Sequence, residues 1–176
     1  MVTITISGTP GSGKSTIAVL LKEKLSIPYV YSGSIFRDLA KEHNMSLADF
    51  SKYCEQNDTI DRELDDKQVN ILKKGNVLLE GRLAGWLAVL NGIQAFKIWI
   101  DADPTIRAQR IVNRENGAIR DQLKRLRERE NSEQVRYRTY YDIDVLDTSI
   151  YDLIIDSSEK TPDEILLIII DELKKE

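Results

Sequence analysis

The chain has 176 residues, 41% of them apolar and 31% charged, with a formal net charge of −4. Those values describe one globular domain long enough to bury a core, and the acidic balance argues against general nucleic-acid binding. The single cysteine, Cys54, excludes an internal disulfide and suits a cytoplasmic setting, no apolar run approaches the roughly 20 residues of a membrane span, and the first residues lack the basic and apolar regions of a signal peptide.

Residues 2–7 read as a buried strand and Lys14–Leu25 as a helix with Ile17, Leu20, Leu21 and Leu25 on its apolar face. Tyr29–Tyr31 follows Pro28 as a short second strand. Ser32 then opens a helix that turns Ile35, Phe36 and Leu39 inward. Ser46 and Asp49 have the spacing of a capping box for another helix over residues 47–55, where Cys54 is expected to pack. His43, the only histidine, has no Cys or His neighbour to share a metal and is expected at the surface. Asp58 or Thr59 caps the next helix, which Gly75 and Asn76 stop after about Lys74.

Residues 77–79 form a third strand ending at Glu80, and residues 96–100 a fourth ending at Asp101. Asp103 caps a helix with Pro104 in its first turn. An arginine-rich helix runs from about residue 119 to 140, and residues 153–155 form a fifth strand. Thr161, Pro162 and Glu164 make a full capping box for the last helix. Strands alternate with helices, and the strands are short apolar runs. The pattern predicts an α/β fold with a five-stranded parallel sheet and helices on both faces.

Residues 8–15 carry the most specific chemistry. Gly8, Gly13, Lys14 and Ser15 satisfy G-x-x-x-x-G-K-[ST], between a strand and an amphipathic helix. The glycines let backbone N–H groups converge on an anion, and the helix N-terminus adds its dipole. Lys14 is placed for the β- and γ-phosphates of a nucleotide and Ser15 for Mg²⁺. In a parallel sheet, ligands gather at the carboxyl ends of strands. Those ends carry Gly8–Ser15, Ser32-Gly33, Glu80-Gly81-Arg82 and Asp101, which are therefore expected to face one cleft. Glu80 suits a metal-holding role, Arg82 a bidentate phosphate clamp, and Arg37 points toward the same cleft one helical turn after Ser32-Gly33.

Between residues 107 and 138 stand nine arginines and one lysine against five acids, a local net charge of +5 in an acidic chain. Arg107, Arg110 and Arg114 share one helix face, and Arg129, Glu133 and Arg136 another. A preference for Arg over Lys suits a transferring phosphoryl group, because the planar guanidinium matches phosphate oxygens. Transfer to a phosphate that is already ionised needs positioning and charge neutralisation rather than an acid–base pair.

The chain resembles the short, archaeal-type cytidylate kinases of the nucleoside monophosphate kinase family nearly end to end. The marks are Ile6–Thr16, Ser32–Arg37, Ile60–Asp65, Leu79–Trp86, Ile150–Asp156 and the Arg-Glu-x-x-Glu-x-x-Arg pattern over residues 129–136. The resemblance implies a single three-layer P-loop kinase domain over residues 1–176, with an acceptor-binding segment at about 32–74 and a mobile lid at about 113–136. It implies ATP and Mg²⁺ on Gly8, Thr9, Pro10, Gly11, Ser12, Gly13, Lys14, Ser15 and Thr16, with the metal at Ser15 and Glu80. The acceptor, CMP or dCMP, would meet Ser32, Gly33, Arg37, Gly81, Arg82 and Glu133. Arg62 and Asp61 are the base-reading candidates, and Arg129 and Arg136 would neutralise the transferred group. Family members are commonly monomers. Bacterial relatives carry Asp where this chain has Glu80 and Glu133, and a larger insertion. The alternatives are a kinase for AMP or UMP, a shikimate-type kinase, a nucleotide sensor, and an adenylate-kinase-like ATPase acting in ribosome assembly. A shikimate-type enzyme would need an acidic pair where Tyr31-Ser32-Gly33 stands.

Overall fold

Every residue of strand β1 (Ile4–Gly8) is buried, and the sheet grows outward from it. The computed structural model describes residues 2–46, 49–50, 53 and 58–175, apart from the side chains of residues 58, 60 and 61. The remaining strands are β2 (Tyr29–Tyr31), β3 (Leu78–Glu80), β4 (Phe96–Asp101) and β5 (Leu153–Asp156). They form one parallel sheet in the order β2-β3-β1-β4-β5, with Ile6 opposite Glu80 and Gly8 opposite Ile100. The helices are α1 (Lys14–Leu25), α2 (Ser32–Glu42), α3 (Asp58–Lys74), α4 (Ala84–Leu90), α5 (Pro104–Glu115), α6 (Ile119–Tyr141) and α7 (Pro162–Leu173).

The two-residue period of the strands divides the core between two faces. Ile4, Ile6, Leu78, Ile98 and Ile100 pack with Ile17 and Leu21 of α1 and Ile165 and Ile169 of α7. Val77 and Leu79 turn the other way, onto Val69 and Leu72 of α3, Leu87 of α4, and Ile143 and Val145. Ile35 and Leu39 of α2 form a smaller cluster with Phe50, and Ala108 and Ile111 of α5 meet Leu126 of α6. The expected layering is therefore present.

Local signals account for most element ends. Asp103 accepts from the Thr105 N–H at 2.7 Å. Thr161 and Glu164 make both bonds of the capping box. Ser46 Oγ accepts from the Asp49 N–H at 3.2 Å, whereas Cys54 lies outside the described residues. His43 is exposed, 3.7 Å from Glu63. β1 extends one residue past its expected end because Gly8, at φ +144°, has no Cβ: one would stand 1.9 Å from the Ile100 carbonyl oxygen.

Two features depart from the sequence pattern. Helix α4 was not expected, because Ala84–Leu90 is uniformly apolar and carries no amphipathic period. Ala84, Gly85, Leu87 and Ala88 are buried against the sheet and its neighbours, while the side left exposed at its end carries the apolar Val89 and Leu90 rather than a polar face. Strand β5, read as a covered strand, leaves Ile154 55% exposed because it lies at the sheet edge. Among the described residues, no helix is long and apolar enough to cross a membrane.

Replacing Thr161 by Ala removes the side-chain acceptor of the α7 capping box. It should destabilise the fold by about 1 kcal/mol, read as a lower midpoint in chemical denaturation with an unchanged slope.

Candidate active site

The loop between β1 and α1 is held from behind. Thr9 Oγ1 donates to Asp101 Oδ1 at 2.5 Å. Buried Arg107 donates to the Pro10 carbonyl at 3.2 Å and to Glu130 at 2.6 Å. Arg110 donates to the Ser12 carbonyl at 3.3 Å, and Ser157 Oγ donates to the same oxygen at 2.8 Å. Gly11 and Gly13 take positive φ, +82° and +92°, which turns the loop tightly into α1. Gly13 has no side chain to cap the helix, so the first-turn N–H groups remain donors for an anion.

These anchors correct one expectation. Asp101 does not face the cleft: it is drawn back to bind Thr9 and its neighbour's N–H. The arginines expected on one face of α5 also divide. Arg107 and Arg110 support the loop, while Arg114 stays exposed and pairs with Glu115.

Lys14 Nζ donates to the Thr9 carbonyl at 2.6 Å. Burial, and then the positive charge of Arg82, pull its pKa from 10.5 to about 7. Ser15 Oγ donates to Glu80 Oε1 at 2.7 Å and Tyr29 donates to Glu80 Oε2 at 2.5 Å. Burial, followed by that bond, pushes the Tyr29 phenol up. The hydroxyl of Ser15 and the carboxylate of Glu80 form an oxygen donor pair that fits a hard cation such as Mg²⁺. Among the described residues, no group of three or more His, Cys, Asp or Glu forms a metal cage.

A cavity of about 740 Å³ opens in front of this pair. It is lined by Lys14 and Ser15, by Ser32, Gly33 and Arg37 of α2, by Glu80, Gly81 and Arg82 after β3, and by Arg129, Glu133 and Arg136 of α6. A second cavity of about 370 Å³ lies on the other side of the loop, against Gly13, Thr16, Arg110, Ser157 and Lys160. Gly8 and Thr9 sit behind both and shape the loop from within. Arg62 is exposed on α3 and lines neither cavity; the Asp61 side chain lies outside the described residues.

One carboxylate ties the cleft together. Glu133 accepts from Arg82 Nε at 2.6 Å and from Arg129 Nε at 2.8 Å. Arg82 also donates to the Gly8 carbonyl at 2.7 Å and sits 5.8 Å from the Trp99 ring centre. Burial acts to raise the Glu133 carboxyl, but Arg82 and Arg129 outweigh it and hold it below its usual range. The second terminal nitrogen of Arg82 is buried with no partner among the described residues, a donor suited to a phosphate oxygen.

Asp65, Gln68 and Tyr137 also line the larger cavity and were missed. A signal for the first two was present. Asp65 and Gln68 fall on the same stripe of α3 as Val69 and Leu72, so polar groups interrupt its buried face.

The model of the cytidylate kinase-like family matches residues 3–159. A cytidylate kinase of Methanocaldococcus jannaschii is 49% identical over 176 residues, covering 98% of this chain and 99% of its own. A cytidylate kinase of Pyrococcus horikoshii is 44% identical over 166 residues, covering 94% and 85%. A solved shikimate kinase from Aquifex aeolicus shares the fold, with a TM-score of 0.58, 21% identity and coverage of 98% and 96%.

The Lys14 shift has a signed consequence for stability. Between pH 7 and about 10 the unfolded chain holds a proton that the folded chain has released, so stability gains a positive slope with pH there. The raised Tyr29 acts in the opposite direction only above its usual range near 10. Denaturation of wild type and Lys14→Met from pH 6.5 to 9.5 should show the steeper rise in wild type.

Proposed function

The chain belongs to the cytidylate kinase-like family, and on that premise we propose that it moves the γ-phosphoryl group of ATP to CMP or dCMP, giving ADP and CDP or dCDP. The observation that carries this reading is a single cavity with the loop lysine Lys14 on one wall and Arg37 and Arg82 on others. A donor phosphate on the loop and an acceptor phosphate on the arginines would then face each other across it.

In this reading the loop amides and Lys14 hold the β- and γ-phosphates, and the smaller cavity beyond Gly13 takes the rest of ATP. Ser15 and Glu80 would hold Mg²⁺, which when bound draws negative charge from the phosphate oxygens. Arg37 and Arg82 grip the acceptor phosphate, and Ser32, Gly33 and Gly81 border the rest of the acceptor site. Arg129 and Arg136 neutralise the transferring group, and Glu133 sets the angle of Arg82 and Arg129. An acceptor phosphate oxygen bonds to the γ-phosphorus as its bond to the ADP oxygen breaks. That oxygen is already ionised, so no general base is required.

The polyanion also has a use for the depressed pKa of Lys14. Phosphate charge beside Nζ favours the protonated form, so the lysine becomes fully cationic when its ligand arrives. Residues 113–136, including most of α6, form the lid that excludes water during transfer. One chain supplies every group named, which supports a monomer as the working unit; neither nucleic acid nor a membrane is required.

A coupled assay of ADP formation, with CMP, dCMP, UMP, AMP and GMP offered singly, tests the reading. Strong stimulation by CMP or dCMP is expected. Stimulation by AMP alone would overturn the acceptor, and ADP formation indifferent to every acceptor would indicate an ATPase acting on other partners. Lys14→Ala should lower kcat by about 10²–10³-fold. Arg82→Ala should chiefly raise the acceptor KM, by roughly tenfold to a hundredfold; unchanged acceptor kinetics would remove Arg82 from the acceptor site.

A further inference from the structure

The acceptor cleft contains a hydrogen-bond chain whose direction is fixed from end to end. It begins on α6, where the Tyr141 hydroxyl donates to Asp65 Oδ2. Gln68 Nε2 donates to the other oxygen, Asp65 Oδ1, at 3.0 Å. A carboxylate oxygen so placed accepts, so the nitrogen of the Gln68 amide must face Asp65 and its oxygen must face away. Gln68 is 3% exposed, and among the described residues no donor reaches its Oε1.

That oxygen borders the cavity beside Gly81 and Ser32. A Cβ on Gly81 would stand 3.0 Å from Gln68 Oε1 and 2.9 Å from Ser32 Oγ. The glycine therefore leaves room next to the oxygen on the wall of the acceptor site. A buried acceptor without a donor is costly, and native structures rarely keep one that no ligand or water meets.

We propose that Gln68 Oε1, locked in place by Asp65 and Tyr141, is the group that reads the exocyclic amine of the acceptor base. The inference rests on the kinase reading above. A cytosine presents an N–H donor at that position and a uracil presents a carbonyl acceptor. A rotatable hydroxyl would tolerate either, whereas an amide whose orientation is fixed opposes one acceptor to another when uracil enters. A ribose hydroxyl both donates and accepts, so it would not need a locked partner. Gln68 is thus a specificity-determining residue, and Asp65 and Tyr141 are positioning residues.

The test is kcat/KM for CMP, dCMP and UMP with wild type, Gln68→Met and Gln68→Asn, reading UMP as a competitive inhibitor where turnover is too slow. Wild type should favour CMP over UMP. Met keeps the length and the fit of the side chain but removes the acceptor, and should lower the CMP-to-UMP ratio on the order of tenfold to a hundredfold. The CMP-to-dCMP ratio and the KM for ATP should hold. Asn, which withdraws the oxygen from the cavity while retaining the amide, should lower the same ratio and serves if the Met variant does not fold. An unchanged CMP-to-UMP ratio, or equal losses for both nucleotides, would overturn the proposal. A change confined to CMP against dCMP would also overturn it, by moving the contact to the ribose. A wild-type enzyme that phosphorylates neither pyrimidine would overturn the cytidylate acceptor of the reading above, and this inference with it.

Discussion

Arg82 is the group through which the elements of the cleft constrain one another. A guanidinium cannot shed its charge, so burying it demands partners for its N–H groups. Arg82 finds them in three elements: the Gly8 carbonyl at the end of β1, the Glu133 carboxylate on α6, and the face of Trp99 on β4. Each partner fixes the arginine and is fixed by it. The loop mouth, the central sheet and the arginine-rich helix therefore share one reference point on the wall of the larger cavity.

Charge in the cleft is arranged so that anions complete it. Lys14 is desolvated next to Arg82 and loses its proton readily. Glu133 supplies one carboxylate for two arginines, which leaves the cluster positive. The outer arginines have a different purpose. Arg107 and Arg110 donate to the carbonyls of Pro10 and Ser12, which holds those oxygens on the side of the loop that faces α5. An arginine-rich segment is thus part cavity lining and part scaffold. Composition cannot separate the two, because the division depends on which helix turn lies behind the loop.

Legibility followed the range of the interactions. The loop glycines, Lys14, Ser15 and the caps at Asp103 and Thr161 act within a few residues, and their spacing revealed them. The sheet was legible because its inner strands are covered on both faces. Helix α4 was hidden because its exposed positions, Val89 and Leu90, are as apolar as its buried ones, which leaves no period to read. Asp101 was misplaced because its position at a strand end suggested the cleft, while its side chain bends back to Thr9, 92 residues away in sequence. Asp65 and Gln68 were overlooked in favour of Arg62, since a charged surface residue is more conspicuous than a polar one on a buried stripe. Tyr141, which donates to Asp65, lies 76 residues from it, beyond any local pattern.

The strand order has a consequence for how the chain is made. Of the five strands of the sheet, β1 emerges before the others, yet its neighbours are β3 and β4, whose paired residues lie more than 70 positions downstream. β2, the next strand to emerge, pairs with β3 rather than with β1. The apolar residues Ile4 and Ile6 must wait for about half the chain before they acquire a sheet. The loop's anchors arrive later still: Asp101, Arg107 and finally Ser157. The loop after β1 thus precedes its anchors in synthesis and is assembled only after them. A nascent chain cut short before Ser157 holds the Ser12 carbonyl through Arg110 without the hydroxyl that shares that oxygen, so the loop gains its full set of anchors only after the last strand has emerged.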